Sequence, residues 1–360
     1  MKKETKIALI AIVLIIIIAL AIVVAVRFNA SQEAATNPYG MEEKEEKEEV
    51  VETEEKTKNI KIFDVSSNER PIAFMIDNNV NAQPQSSINK AFAVYEIIVE
   101  GNETRLMALF KGVDADVVGP IRSSRHYFLD YAMEYDAIYA HLGLSPQAEA
   151  DMGLYRTNNI NGQLYDTGKA RTSSSRYWRD KSRKAPHNAY TNIAKILEIS
   201  NEKGYKTTTD KGTPLNYVEE EVNLEKNYIT ATDVKIPYAS KHVVEYKYDA
   251  ETQRYTRYSK GKKQTDATDG KDITTKNIII TFAKNHDLED SENKGRQQVV
   301  TWGTLDGYYI TNGKAIKIKC QKNVREEQTK YMDLEGNEIE INDGNTFINI
   351  CPIDANVTIE

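Results

Sequence analysis

The sequence predicts an α/β domain followed by a smaller, mostly β domain, with one transmembrane helix and a disordered acidic linker in front. Three observations carry this. Residues 7–26 are an unbroken apolar run, strand and helix signals alternate over 68–206, and closely spaced β segments without helices fill 242–360. The implied divisions are an anchor at 1–28, a linker at 29–67, an α/β domain at 68–206, a connector at 207–241 and a β-rich domain at 242–360.

The run from Ile7 to Val26 contains only Ile, Leu, Val and Ala. At 1.5 Å per residue it spans about 30 Å, the thickness of a bilayer's hydrocarbon core. Lys2, Lys3 and Lys6 precede it and only Arg27 follows, so the positive-inside rule puts the N-terminus in the cytoplasm and the rest outside. A cleaved signal peptide is the alternative. Its apolar region would be shorter, and Phe28-Asn29-Ala30 matches its cleavage site poorly. No Cys follows the run closely, so lipid attachment there is not expected.

Residues 42–56 hold nine Glu against Lys44, Lys47 and Lys56. That segment cannot bury enough surface to offset chain ordering, and its self-repulsion favours an extended tether. It also supplies most of the formal net charge of −7, which therefore says little about the folded part. An acidic total still argues against a general nucleic-acid binder. Two cysteines exclude a disulfide-rich scaffold or a four-cysteine zinc site.

In the folded part, 71–76 (PIAFMI) reads as a strand ending at Asp77-Asn78-Asn79. Residues 91–99 form a second strand. Glu100-Gly101-Asn102-Glu103 turns it into a third at 104–110. Ser123 or Ser124 is placed to cap a helix over 126–135, and 137–142 returns as a strand. Ser145-Pro146 opens a short helix, and another runs over about 191–203 to Gly204. From His242 onward strands dominate, with hairpin signals at Asn312-Gly313 and Glu335-Gly336-Asn337. Cys320 and Cys351 each end a β segment, and either a disulfide or two buried thiols would fit.

The densest polar signal is basic. Eight Lys or Arg lie between Arg156 and Lys184 against Asp166 and Asp180, with Tyr165, Tyr177 and Trp178 interleaved. Arg122 and Arg125 flank a helix start, a common anion cradle. A solvated basic loop is the plainer reading. Asp77, Glu96 and Glu100 are the candidate carboxylates. Glu96 and Glu100 have an even spacing that puts both on one face of an extended strand, and such a pair could do acid–base chemistry on a glycan. Structural salt bridges with Arg105, Arg122 or Arg125 would use the same residues. His141 and His187 lack a third ligand at metal-binding spacing, so no metal and no cofactor are expected. No G-x-S-x-G and no P-loop occur.

Four stretches resemble the YerB-like family of bacterial envelope proteins. They are 71–86 (PIAFMIDNNVNAQPQS), 95–110 (YEIIVEGNETRLMALF), 118–148 (VGPIRSSRHYFLDYAMEYDAIYAHLGLSPQA) and 179–192 (RDKSRKAPHNAYTN). The segments NIIITF, GYYITNGKAIKIK and DLEGNEIEINDGNTFINI resemble the family's C-terminal domain. The resemblance implies a place on the outer face of the cytoplasmic membrane in a Gram-positive-type bacterium, near wall synthesis or remodelling. Family members are typically lipoproteins, from which the apolar run departs. No reaction comes with the resemblance. The motif positions it singles out are Glu100, Arg105, Arg122, Ser123, Arg125, His141, Arg183, Lys184, His187 and Asn188. The expected role is binding of an anionic wall polymer or an envelope protein, with residues 7–26 in the membrane. The alternative is a glycan-cleaving enzyme with Glu100 as general acid.

Overall fold

The structure is a computed structural model that describes residues 60–289 and 292–360. The expected transmembrane helix and most of the acidic linker lie outside the described residues. Among the described residues, no helix is long and apolar enough to cross a membrane.

The N-terminal part supplies β1 (Ile72–Asp77), β2 (Ala93–Ile98), β3 (Thr104–Phe110), β4 (Ile138–His141) and β5 (Asn159–Asn161). It also supplies α1 (His126–Glu134), α2 (Pro146–Leu154) and α3 (Ile193–Glu202). The C-terminal part is mostly β: β6 (Asp233–Ala239), β7 (His242–Asp249), β8 (Arg254–Ser259), β9 (Asn277–Ala283), β10 (Gly303–Thr311), β11 (Lys314–Lys322), β12 (Lys330–Met332), β13 (Thr346–Pro352) and β14 (Thr358–Ile359). The stretch read as a connector thus contains β6. The expected serine cap of α1 is replaced by Arg125, which makes no side-chain cap bond.

One large mixed sheet runs through both parts, in the order β12-β11-β10-β9-β13-β2-β3-β1-β4-β5. β13 lies parallel between β9 and β2, with Val94 opposite Phe347 and Ile278 opposite Phe347 on the other side. The α/β part and the β-rich part are thus both present, and they share this sheet. Strand β13, from the end of the chain, completes the sheet of the beginning. Every residue of β1, β2, β3 and β13 is buried. This explains their near-continuous apolar sequences, because strands covered on both faces lose the polar alternation.

A second sheet, built on β8-β7-β6-β14, covers one face of the centre. Tyr238 donates to the Glu96 carbonyl, and Tyr246 packs its ring near Phe347. Helix α1 covers the other face, where Tyr95 stacks on Tyr131 at 4.6 Å and its hydroxyl meets that of Tyr135 at 2.9 Å. Alternation along β2 therefore sends Tyr95 to the helix and Glu96 to the second sheet.

Cys320 on β11 and Cys351 on β13 are free buried thiols. Two strands separate them, so their backbones stand about 14 Å apart at the usual strand spacing, too far for a disulfide. Of the two alternatives, buried thiols is the one realised.

Candidate anion-binding site

β1, β2, β4 and β5 all run in one direction: β1 and β2 are each antiparallel to β3, and β4 and β5 are parallel to β1 in turn. Their carboxyl ends meet at one end of the sheet, where open α/β sheets commonly place ligands. Asp77 closes β1 there, Glu100 follows β2 and His141 closes β4. The segment Gly119–Arg122 crosses this end. Its Pro120 carbonyl accepts from Asp77 N, and Arg122 N donates to the Met75 carbonyl. Gly119 has a φ of +146°, and a Cβ there would meet the Ala189 carbonyl oxygen at 2.8 Å. Only glycine lets the two chains approach this closely. The contact brings the basic stretch against the strand ends, through Ile121 N donating to the Ala189 carbonyl at 2.7 Å.

Two ion clusters form. In the first, the Asp77 carboxylate is 5% exposed and organises both Arg122 and His187. Arg122 Nε approaches its Oδ2 at 3.2 Å, and the His187 ring nitrogen Nδ1 bonds the same oxygen at 2.7 Å. Oδ1 accepts from Asn79 N at 3.1 Å. In the second cluster, Glu100 accepts from Arg105 at 2.8 Å and from both Nε and Nη2 of Arg125. Asp77 and Arg105 are direct partners across β1 and β3, so the clusters are neighbours.

Burial pushes the Glu100 carboxyl up. The Arg105 charge, together with the hydrogen bond and charge of Arg125, outweighs burial and holds it at about 2. A group so acidic carries no proton to give near neutral pH. A carboxylate paired with two arginines in this way does not fit the general-acid role expected of Glu100. Glu96 does not join it either. Glu96 is wholly buried against the second sheet, 2.7 Å from Arg257, with Asn78 and Thr104 donating to its other oxygen. The even spacing failed as a guide because Glu100 lies in a 3-10 turn beyond the strand, where alternation ends.

Other motif positions are structural. His141 is completely buried, and both ring nitrogens are engaged, Nδ1 with the Gly143 carbonyl at 2.8 Å and Nε2 with Asn159 Oδ1 at 3.2 Å. Burial lowers its pKa. Ser123 Oγ donates to the Leu142 carbonyl, and its own carbonyl accepts from Arg105. Asn188 donates to the Asp180 and Arg183 carbonyls and accepts from Arg179, which fixes the loop before His187. Arg183 reaches back to the Ala82 and Pro84 carbonyls at 2.7 Å each. Lys184 is exposed. Thus Arg122 and His187 converge, Arg105 and Arg125 converge beside them, and His141, Ser123 and Asn188 support the scaffold.

Beside this end lies a cavity of about 350 Å³ lined by Arg171, Trp178, Arg179, Lys181, Arg183 and Tyr190, among others. Arg179 pairs with Asp166, and Arg183 approaches Asp180 at 3.5 Å. Arg171 stacks over Trp178 at 4.6 Å, and both Arg171 and Lys181 are exposed. The rings are spent on packing: Tyr177, Trp178 and Tyr190 are all buried. Of the interleaved aromatics, Tyr177 and Trp178 thus mark a small core under the loop, while Tyr165 is half-buried with Arg176 over its ring at 5.6 Å. Among the described residues, no group of three or more His, Cys, Asp or Glu is placed to hold a metal ion.

Comparison with known proteins places this architecture. Residues 59–206 match the N-terminal domain of the DUF3048 family, described as a protein of unknown function, and residues 234–348 match its C-terminal domain. A Bacillus subtilis (strain 168) protein described as "Putative lipoprotein YerB" is 30% identical over 294 residues, covering 79% of this chain and 81% of its own length. The crystal structure of the YerB protein from Bacillus subtilis superposes with a TM-score of 0.70, at 30% identity, over 81% of this chain and 94% of that one. The chain belongs to this YerB-like, two-part family.

Proposed function

We propose that the chain is an extracytoplasmic protein of the bacterial envelope, held at the cytoplasmic membrane through residues 7–26, and that it binds an anionic wall polymer. The relative described as a lipoprotein supports the location, since a lipid anchor and an apolar helix hold a protein at the same membrane. One observation carries the binding role: a basic groove whose Arg171 and Lys181 are exposed while its rings are buried. Without free aromatic faces the groove favours phosphate or carboxylate groups over neutral sugar rings.

The test is cosedimentation of the full-length protein, in detergent, with purified walls that carry phosphodiester-linked polymers and with walls stripped of them. Binding should need the polymer, weaken as salt rises from about 0.05 to 0.5 M, and drop in the double variant R171Q/K181Q. Equal binding to stripped walls, unaffected by salt, would overturn the reading.

A further inference from the structure

The first ion cluster holds an arrangement that binding alone does not require. Asp77 is buried, accepts from a backbone amide and from His187, and forms an ion pair with Arg122. With Nδ1–H donated to this carboxylate, the lone pair of His187 sits on Nε2. No hydrogen bond from Nε2 to a described residue is present, and the His187 side chain keeps 16% of its surface open. This is how a carboxylate orients an imidazole for proton abstraction. Arg122 shares the same anchoring oxygen and is 27% exposed, and its two Nη groups make no hydrogen bond among the described residues. A proton acceptor and a cationic fork thus stand side by side at the carboxyl ends of the strands. The Tyr190 phenol, which lines the basic groove, lies near enough to Asp77 to feel its charge, so the His187–Arg122 pair stands beside a polymer lying there.

We propose that His187 is a general base, oriented by Asp77, and that with Arg122 it forms a site hydrolysing a phosphodiester of the bound polymer. The proposal rests on the anionic-polymer reading for its natural substrate. Water attacks phosphorus and forms the new P–O bond, while its proton passes to His187 Nε2. The P–O bond to the leaving alkoxide breaks, and the alkoxide takes the proton from the imidazolium. The products are a phosphomonoester and an alcohol, and the imidazole returns to its starting form. Arg122 holds the non-bridging oxygens, whose charge the attack concentrates. Asp77 is a positioning residue that fixes the tautomer.

The test uses full-length protein and the soluble diester bis(p-nitrophenyl) phosphate, reading p-nitrophenolate release, with wall cosedimentation run in parallel. The wild type should release product above buffer, and H187Q should lose about 10²–10⁴-fold in kcat with wall binding kept. R122Q should lower kcat and raise KM together, because Arg122 holds the phosphate in both the bound and the transition state. D77N should act mainly on kcat, a split that a general loss of packing does not give. His187 is partly open and a glutamine amide can still donate to Asp77, so H187Q should keep a cooperative melt and decides the matter even if D77N fails to fold. No release by the wild type, or equal release by H187Q, overturns the proposal. Release that depends on His187 without any wall binding supports the catalytic site and overturns only the polymer reading.

Discussion

The Glu96 carboxylate and the Arg257 guanidinium meet at 2.7 Å with 0% and 1% of their side chains open to solvent. One stands on a strand of the N-terminal part and the other on the second sheet. His242 adds its ring at 3.6 Å from Glu96 and 3.5 Å from Glu103. Arg257 also lies over the Phe347 ring. The two parts are thus joined by a dry polar lock as well as by a shared sheet.

Removing one member of that lock leaves an unpaired charge in the interior. Arg257→Ala should cost about 3–5 kcal/mol, the usual penalty for breaking a buried pair. Arg257→Met together with Glu96→Gln should recover part of it, because neither change then strands a charge. Urea unfolding of the two variants checks this, and equal losses would contradict the lock.

Cutting the chain should unfold both halves. A piece ending near residue 240 lacks β13, whose place is between β2 and β9. A piece from 240 onward exposes the face of β13 that pairs with β2 through five residue pairs. Circular dichroism and thermal melts of the two pieces, alone and mixed, measure this. Independent cooperative melting of either piece would refute it.

The local elements of the first part were readable because each announces itself within a few residues. The apolar run 71–76, the turn at Gly101-Asn102 and the Ser145-Pro146 helix start all carry their cause beside them. Gly101 and Asn102 do adopt positive φ, and Ser145 does cap α2 by accepting from Ala148 N. The placement of β13 was not readable. Its pairing with β2 joins residues some 250 positions apart, and no local pattern encodes a parallel partner at that distance. The site shows the same division. Arg122, Arg125 and His187 stood out as polar residues at element ends. The Asp77 carboxylate stood out as a candidate at a strand end, but its gathering of Arg122 and His187 did not, because those partners lie some 45 and 110 positions away. The cationic partners of Glu96, Arg257 and His242, lie in the second sheet, beyond any spacing rule.

The thiols should stay unpaired. Cys320 lies against Thr281 at 3.3 Å, and Cys351 sits near the Thr281 carbonyl at 3.6 Å. Burial pushes both thiols up to about 12. Protein exposed to air should therefore react slowly with a thiol reagent while folded and give two equivalents once unfolded. Fewer than two on unfolding without reductant would indicate a bond that this strand order forbids.

Acid should weaken the fold through Glu100 in a defined window. An unfolded glutamate titrates near 4.5, whereas burial together with the opposing charges of Arg105 and Arg125 leaves Glu100 at about 2 in the folded chain. Between these values the unfolded chain binds more protons than the folded one, so stability falls as pH drops. Above about pH 5 the carboxylate is ionised in both states, and its contribution is complete and flat. The displacement corresponds to a few kcal/mol at neutral pH, lost progressively from about pH 5 toward pH 2. Glu96 is held at about 2 by Arg257 and His242 against its own burial, and it adds to the same window. The measurement is urea unfolding of wild type and Glu100→Gln at pH 7, 5, 4 and 3. The variant should be less stable at pH 7, because Arg105 and Arg125 lose their counter-charge inside the protein. It should also lose less between pH 5 and pH 3, because the titrating group is gone. Parallel curves for the two proteins across that range would mean that Glu100 is not the ionised centre of the second cluster.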